Sequence, residues 1–199
     1  MAEKKLSKVF LSASIPFQDR DPKFYQTADV IAIRDAVKAL ATVVIPNSIL
    51  IWGGHPAITP LIRFVMDKMG TDVRKHVTIY QSNFFREYFP EDNLAFENIK
   101  IINENIDRES SLLDMRNAMI KENDFKAGIF IGGMEGVEEE FLMFKDSHPT
   151  ALLLPIASTG AAARIIYDDQ FPNLDIKLKK EYAYMSLFKS LLKNIINNE

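Results

Sequence analysis

The stretch IFIGGMEGVEEEF, residues 129–141, decides how this chain is read. An apolar run of branched and aromatic residues ends in two glycines, Gly132 and Gly133, and a third, Gly136, follows. Beyond the glycines, Val137, Phe141 and Phe144 recur at spacings of four and three, which places them on one face of a helix. A buried strand, a glycine turn and an amphipathic helix in succession form the repeating unit of a parallel sheet.

The same unit recurs on both sides of this stretch. Buried-strand runs are KVFLSA (8–13), SILIWG (48–53), HVTIYQ (76–81), NIKIIN (98–103), AGIFIG (127–132) and ALLLPI (151–156). Helical patterns lie between them near 27–43, 57–69, 107–122 and 137–146, with a shorter one at 160–167. A last helix is predicted over about 177–196, with Tyr184, Met185, Phe188, Leu191, Leu192 and Ile195 forming one continuous stripe. Such a stripe must bury itself on the sheet or on another subunit. The segment Gln81–Asn98, rich in Phe, Pro and Asn, shows neither a strand nor a helix period. With no repeat, low-complexity tract or linker, residues 1–199 are expected to form a single α/β domain. Its architecture is doubly wound and Rossmann-like, around a mainly parallel sheet.

Composition narrows the function classes. A chain of 199 residues with 47% hydrophobic and 26% charged residues is an ordinary soluble globule. Its net charge of −3, with no basic block, argues against nucleic acid as a partner. No apolar run reaches the roughly 20 residues of a membrane span, and MAEKKLSKVF lacks a signal-peptide core. Cysteine is absent, which excludes disulfides, thiolate metal sites and cysteine nucleophiles. A cytoplasmic location is the expectation.

Ligands of open parallel sheets bind outside the carboxyl ends of the strands. Four strand exits carry small residues ahead of a helix: Ser12-Ala13-Ser14, Gly53-Gly54-His55, Gly132-Gly133-Met134 and Ser158-Thr159-Gly160. Glycine lets backbone N–H groups approach a phosphate closely, and helix N-termini favour anions. Turns of this kind use Gly and Ser in any case, so four in one sheet carry more weight than any one alone. They point to a phosphate-bearing small molecule.

The glutamates after the glycine turn can be sorted by geometry. At about 100° per residue, Glu139 points away from the Val137–Phe141–Phe144 face while Glu140 sits on its flank. Glu138 and Glu139 read as solvated first-turn acids favoured by the helix dipole. Glu140 is the acid held near the sheet and the turn. A carboxylate there can accept hydrogen bonds from ribose hydroxyls, so glycines and glutamate together would read a nucleotide. Arg116 falls inside the apolar stripe of the helix SSLLDMRNAMIK. It is either a residue snorkelling at the core edge or a guanidinium that clamps phosphate or pairs with Glu140. His55, His76 and His148 show no metal-ligand spacing, so no metal is expected, and no cofactor. His55, in its glycine turn, is the histidine placed to touch ligand. Walker-type lysines and a GxSxG elbow are both lacking.

GGMEGVEEEF resembles the PGGxGTxxE signature of the Lonely Guy phosphoribohydrolases and the wider SLOG superfamily, through Gly132, Gly133, Gly136 and Glu140. Arg116 resembles the arginine of the family's upstream RxxxM helix, with Met119 one place early. Ser12–Ser14 and Gly53-Gly54 resemble its first two turns, with His55 where a third glycine is usual. Ile131 replaces the signature proline, Val137 the threonine, and one extra residue separates Gly133 from Gly136. The resemblance implies a nucleotide pocket. In an enzyme of this kind Arg116 and Glu140 would be catalytic, releasing the base of a nucleoside monophosphate. The altered loop is more similar to SLOG domains that sense nucleotide second messengers, ADP-ribose derivatives among them, in prokaryotic anti-phage systems. That branch implies a sensor that forms a homodimer or higher homo-oligomer and works through an effector protein or a fused effector domain.

Overall fold

β1 (Ser7–Ser14) can lie at the centre of the sheet because Val9 and Leu11 bury on one face and Phe10 on the other. A computed structural model of the chain describes residues 6–197 and pairs β1 in parallel with β2 (Ser48–Trp52) on one side and β5 (Phe125–Gly132) on the other. The six strands run in the order β4-β3-β2-β1-β5-β6 and every pairing is parallel, with β3 (Val77–Ser82), β4 (Ile99–Ile102) and β6 (Leu152–Ile156) completing the sheet.

Period-2 alternation divides the core between the two faces. Val9 and Leu11 of β1, with Ala127, Ile129 and Ile131 of β5, point to the face covered by α2 (Val30–Val44), α3 (Thr59–Met69) and α8 (Tyr184–Leu191). Phe10 and Phe130 point to the face covered by α4 (Arg108–Lys121), α5 (Glu135–Ser147) and α6 (Ala161–Gln170). Gly128 makes room for that second layer. A Cβ there would stand 2.7 Å from the Phe144 ring, which stacks on Phe10 at 5.1 Å between centroids.

The chain walks outward from β1 to β4, and α4 then carries it back to β5 on the other side of β1. Strand order therefore reverses between β1 and β5, and in this topology the crevice opens at their carboxyl ends.

All six predicted strands form, with ends shifted by a residue or two. The predicted helix over 177–196 does not form as one piece. It breaks into α7 (Lys177–Lys180), α8 and α9 (Lys193–Ile196), the remaining short helix, α1, being Pro22–Tyr25. Glu181 is the breaker: its backbone is extended, and its carboxylate accepts from the amides of Tyr182 and Ala183 at 2.9 and 2.8 Å. These bonds stop one turn and start the next. Tyr184, Leu187 and Phe188 are then buried in the cluster beneath α2, so much of the apolar stripe packs within the chain, while Met185 stays exposed. The unreadable segment holds the end of β3 and two 3-10 stretches, Asn83–Tyr88 and Glu91–Ala95. Among the described residues no helix is long and apolar enough to cross a membrane.

Candidate functional site: a cleft at the strand-order reversal

The carboxyl ends of β1, β2, β3 and β5 open on one cleft of about 900 Å³, in the upper part of the range usual for small-molecule sites. Of the residues singled out by sequence, Ser12, Ser14, Gly53, Gly54, His55, Arg116, Met134, Gly136 and Glu140 line it. Gly132, Gly133, Ser158, Thr159 and Gly160 do not; they form the layer behind.

That layer explains why the turn needs glycine. Gly132 and Gly133 have φ of +56° and +91°, a region that side chains disfavour, and a Cβ on Gly133 would stand 2.3 Å from Val137. Their amides face inward. Gly132 N–H donates to Thr159 Oγ1 and Gly133 N–H to the Ser14 carbonyl, both at 2.9 Å. The glycine pair thus bolts the exit of β5 to β1 and to the exit of β6, rather than offering these two donors to a ligand. Ser158 pairs with the Tyr184 hydroxyl at 3.1 Å, and burial pushes that phenol up to about 12. At Gly160, φ +73°, a Cβ would fall 1.7 Å from the Thr27 carbonyl oxygen. The first amides of α6 are capped from within: Ala161 N–H donates to Thr27 Oγ1 and Ala162 N–H to the Gly133 carbonyl. The fourth exit is a buttress.

The donors left for a ligand come one step later. Met134 is extended and caps α5 without a side-chain bond, and the amides of Met134, Glu135 and Gly136 have no protein partner among the described residues. They lie at the helix end that borders the cleft, where the helix dipole favours an anion. Gly136 has a separate reason to be glycine: a Cβ there would stand 3.0 Å from Arg116 Nη2. The bare backbone lets the guanidinium lie over the first turn of α5.

Arg116 is positioned by α4, whose start is fixed by Asp107 accepting from the Ser110 amide at 2.8 Å. Its neighbours Met115 and Met119 pack beside Gly53. Arg116 Nε donates to Glu140 Oε1 at 3.4 Å, and Ser12 Oγ donates to Glu140 Oε2 at 2.6 Å. Arg116 and Glu140 side chains are only 13% and 14% exposed, against 58% for Glu139. Burial raises the Glu140 pKa above its ordinary value, against the opposing pull of Arg116 and Ser12. The flank position deduced for Glu140 from helix geometry is therefore the position it occupies. Glu139 is exposed as expected, and its carboxylate in addition accepts from Arg116 Nη1. Glu138 is also engaged, with Lys23 Nζ at 3.3 Å.

A model of the SLOG cluster3 family matches residues 23–192. The chain belongs to the SLOG cluster3 family. Among solved structures it is similar to the X-ray structure of TM1055, a Northeast Structural Genomics Consortium target. The TM-score is 0.52 at 13% identity over 82% of this chain and 81% of that one, a likeness of fold alone. No curated protein matches the chain.

In this SLOG chain the second exit is neutral rather than cationic. His55 Nδ1 accepts from the Ala57 amide at 3.1 Å, which leaves the ring proton on Nε2. Burial lowers its pKa to about 4, so the ring is uncharged at neutral pH. Gly54, φ +64°, sits against Gln81, whose amide donates to the Gly54 carbonyl and accepts from Asn93. Sequence reading missed much of the lining, including Trp52 on the floor, Arg20 and Arg108 at the rim, and the aromatic residues Phe17, Phe85, Tyr88 and Phe89. The available signal was the aromatic run FFREYFP (84–90), too dense in aromatics for a solvent loop.

Proposed function

We propose that the cleft binds a nucleotide of the ADP-ribose type, and that this SLOG chain is a sensor of that nucleotide rather than an enzyme of rapid turnover. One observation carries the binding reading. Arg116 and the unpartnered amides of Met134, Glu135 and Gly136 stand beside the Ser12–Glu140 pair in one cleft. The first set suits phosphate and the second suits sugar hydroxyls, because each carboxylate oxygen retains a further acceptor site. The cleft lining has three arginines, Arg20, Arg108 and Arg116, against five acids, Asp19, Glu109, Glu135, Glu139 and Glu140. Without a surplus of positive charge it fits a ligand rich in hydroxyls better than a polyphosphate.

Slow chemistry is supported by the departures at Ile131, Val137 and the lengthened turn. Resemblance to sensor SLOG domains supports a role in cytoplasmic prokaryotic defence or signalling, exercised through a homodimer or an effector partner. A second reading has its own support: a buried carboxyl with a raised pKa can protonate a leaving base, as a Lonely Guy-like phosphoribohydrolase requires of Glu140. Calorimetry against ADP-ribose, its cyclic derivatives, NAD and nucleoside monophosphates tests binding. Free base and ribose 5-phosphate released at enzyme-like rates would select the hydrolase.

A further inference from the structure

We infer that the 3-10 segment following β3 is a stacking wall for the planar base of the ligand, with Tyr88 as its outermost ring. This rests on the nucleotide reading and adds where the base goes and which residues grip it.

The aromatic residues of this segment divide into two sets. Phe96 is core, 6% exposed and edge-on to Trp52 at 5.4 Å. Phe85, Tyr88 and Phe89 line the cleft, and Tyr88 is 75% exposed. Phe84 backs Phe85 at 5.1 Å between centroids. Exposed rings gathered on one concave surface mark a binding site more often than chance.

The segment is also held in place. Ser82 Oγ accepts from the Phe84 amide, Asn83 donates to Glu104 at 2.8 Å, and Asp92 pairs with Arg63 at 2.9 Å. Asn93 ties it to Gln81, and Gln81 to the Gly54 carbonyl on the cleft floor. A wall anchored this way is ordered before the ligand arrives, so stacking on it costs little further entropy.

Position supports the division of labour. The wall leaves the sheet at the end of β3, two strands from Ser12 on β1. At 4.7–4.9 Å between strands that separation is roughly 10 Å. A sugar held by Ser12 and Glu140 would therefore have the wall within the reach of one nucleotide. Stacking is tolerant of base identity because every base has a π-face, so the wall adds affinity for any base and selects none.

The test titrates ADP-ribose and ribose 5-phosphate into wild type, Tyr88→Ala and Tyr88→Phe. Trp52, the chain's single tryptophan and part of the cleft floor, serves as the fluorescence reporter. Tyr88→Ala should weaken ADP-ribose roughly ten- to a hundredfold and leave ribose 5-phosphate unchanged, while Tyr88→Phe keeps both. Equal losses for the two ligands, or no loss for ADP-ribose, would overturn the wall alone. Failure of the wild type to bind either ligand would overturn the nucleotide reading, and this inference with it.

Discussion

Exchanging Glu140 for glutamine, set beside the same exchange at Glu139, separates a ligand-reading acid from a surface one. The two are neighbours on α5 and both reach Arg116, yet one side chain is 14% exposed and the other 58%. Glu140→Gln keeps the shape and an acceptor for Ser12 but removes the charge. A hydrogen bond to a charged group is worth roughly 1.5–3 kcal/mol, and each 1.4 kcal/mol is tenfold. Affinity for ADP-ribose should therefore fall about ten- to a hundredfold by calorimetry. Glu139→Gln loosens an exposed ion pair of at most about 1 kcal/mol. In a chain of this size that shifts the melting temperature by no more than about 2–4 °C. Because Glu139 occupies an Arg116 donor that a phosphate could use, its removal should leave affinity level or tighten it up to about fivefold. Equal weakening by the two substitutions would refute the argument, since burial would then have selected the wrong acid.

Arg116→Ala should cost affinity as much as Glu140→Gln does and should also lower the melting temperature, because Glu140 is left buried without its cation; differential scanning fluorimetry checks this. The Glu140 pKa is raised, so its contribution to stability is fully present below the ordinary carboxylate range and is lost as pH rises through the folded value. Melting curves of Glu140→Gln should accordingly gain on wild type as pH climbs through that window. Gly160→Ala should abolish soluble folding, since its Cβ meets a backbone oxygen at 1.7 Å, whereas Gly70→Ala, with nothing within 4 Å, should cost only the strain of a positive φ, roughly 1–3 kcal/mol by urea titration. With its pKa near 4, His55 should produce no inflection in ligand affinity between about pH 5.5 and 8; an inflection near 6.5 that disappears in His55→Gln would contradict its placement.

Much of the fold was legible because both faces of the sheet are buried. β1 and β5 read as short, near-continuous apolar runs, and Gly132-Gly133 marked an exit that needs positive φ. What failed was long-range or side-chain specific. Apolar spacing continues across Glu181–Ala183, so periodicity alone could not show that the Glu181 carboxylate would turn back on the two amides after it. Partners distant in sequence were equally hidden. Thr159 and Ser14 take the Gly132 and Gly133 amides, and this moves the free donors one step on, to Met134, Glu135 and Gly136. Helix geometry placed Glu140 on the flank and Glu139 in solvent, but it could not show that the flexible Glu139 carboxylate would pair with Arg116. The aromatic lining escaped because 3-10 turns of five or six residues leave no 3.6-residue period to detect.

Native mass spectrometry of the intact chain mixed with ADP-ribose tests the central claim most directly, because it reads binding and turnover in one spectrum. The expected result is a species heavier by one intact ADP-ribose that persists for hours, is diminished in Arg116→Ala and Glu140→Gln, and is retained in Glu139→Gln. A bare chain at saturating ligand, or an adduct that decays to the masses of cleaved products, would contradict it.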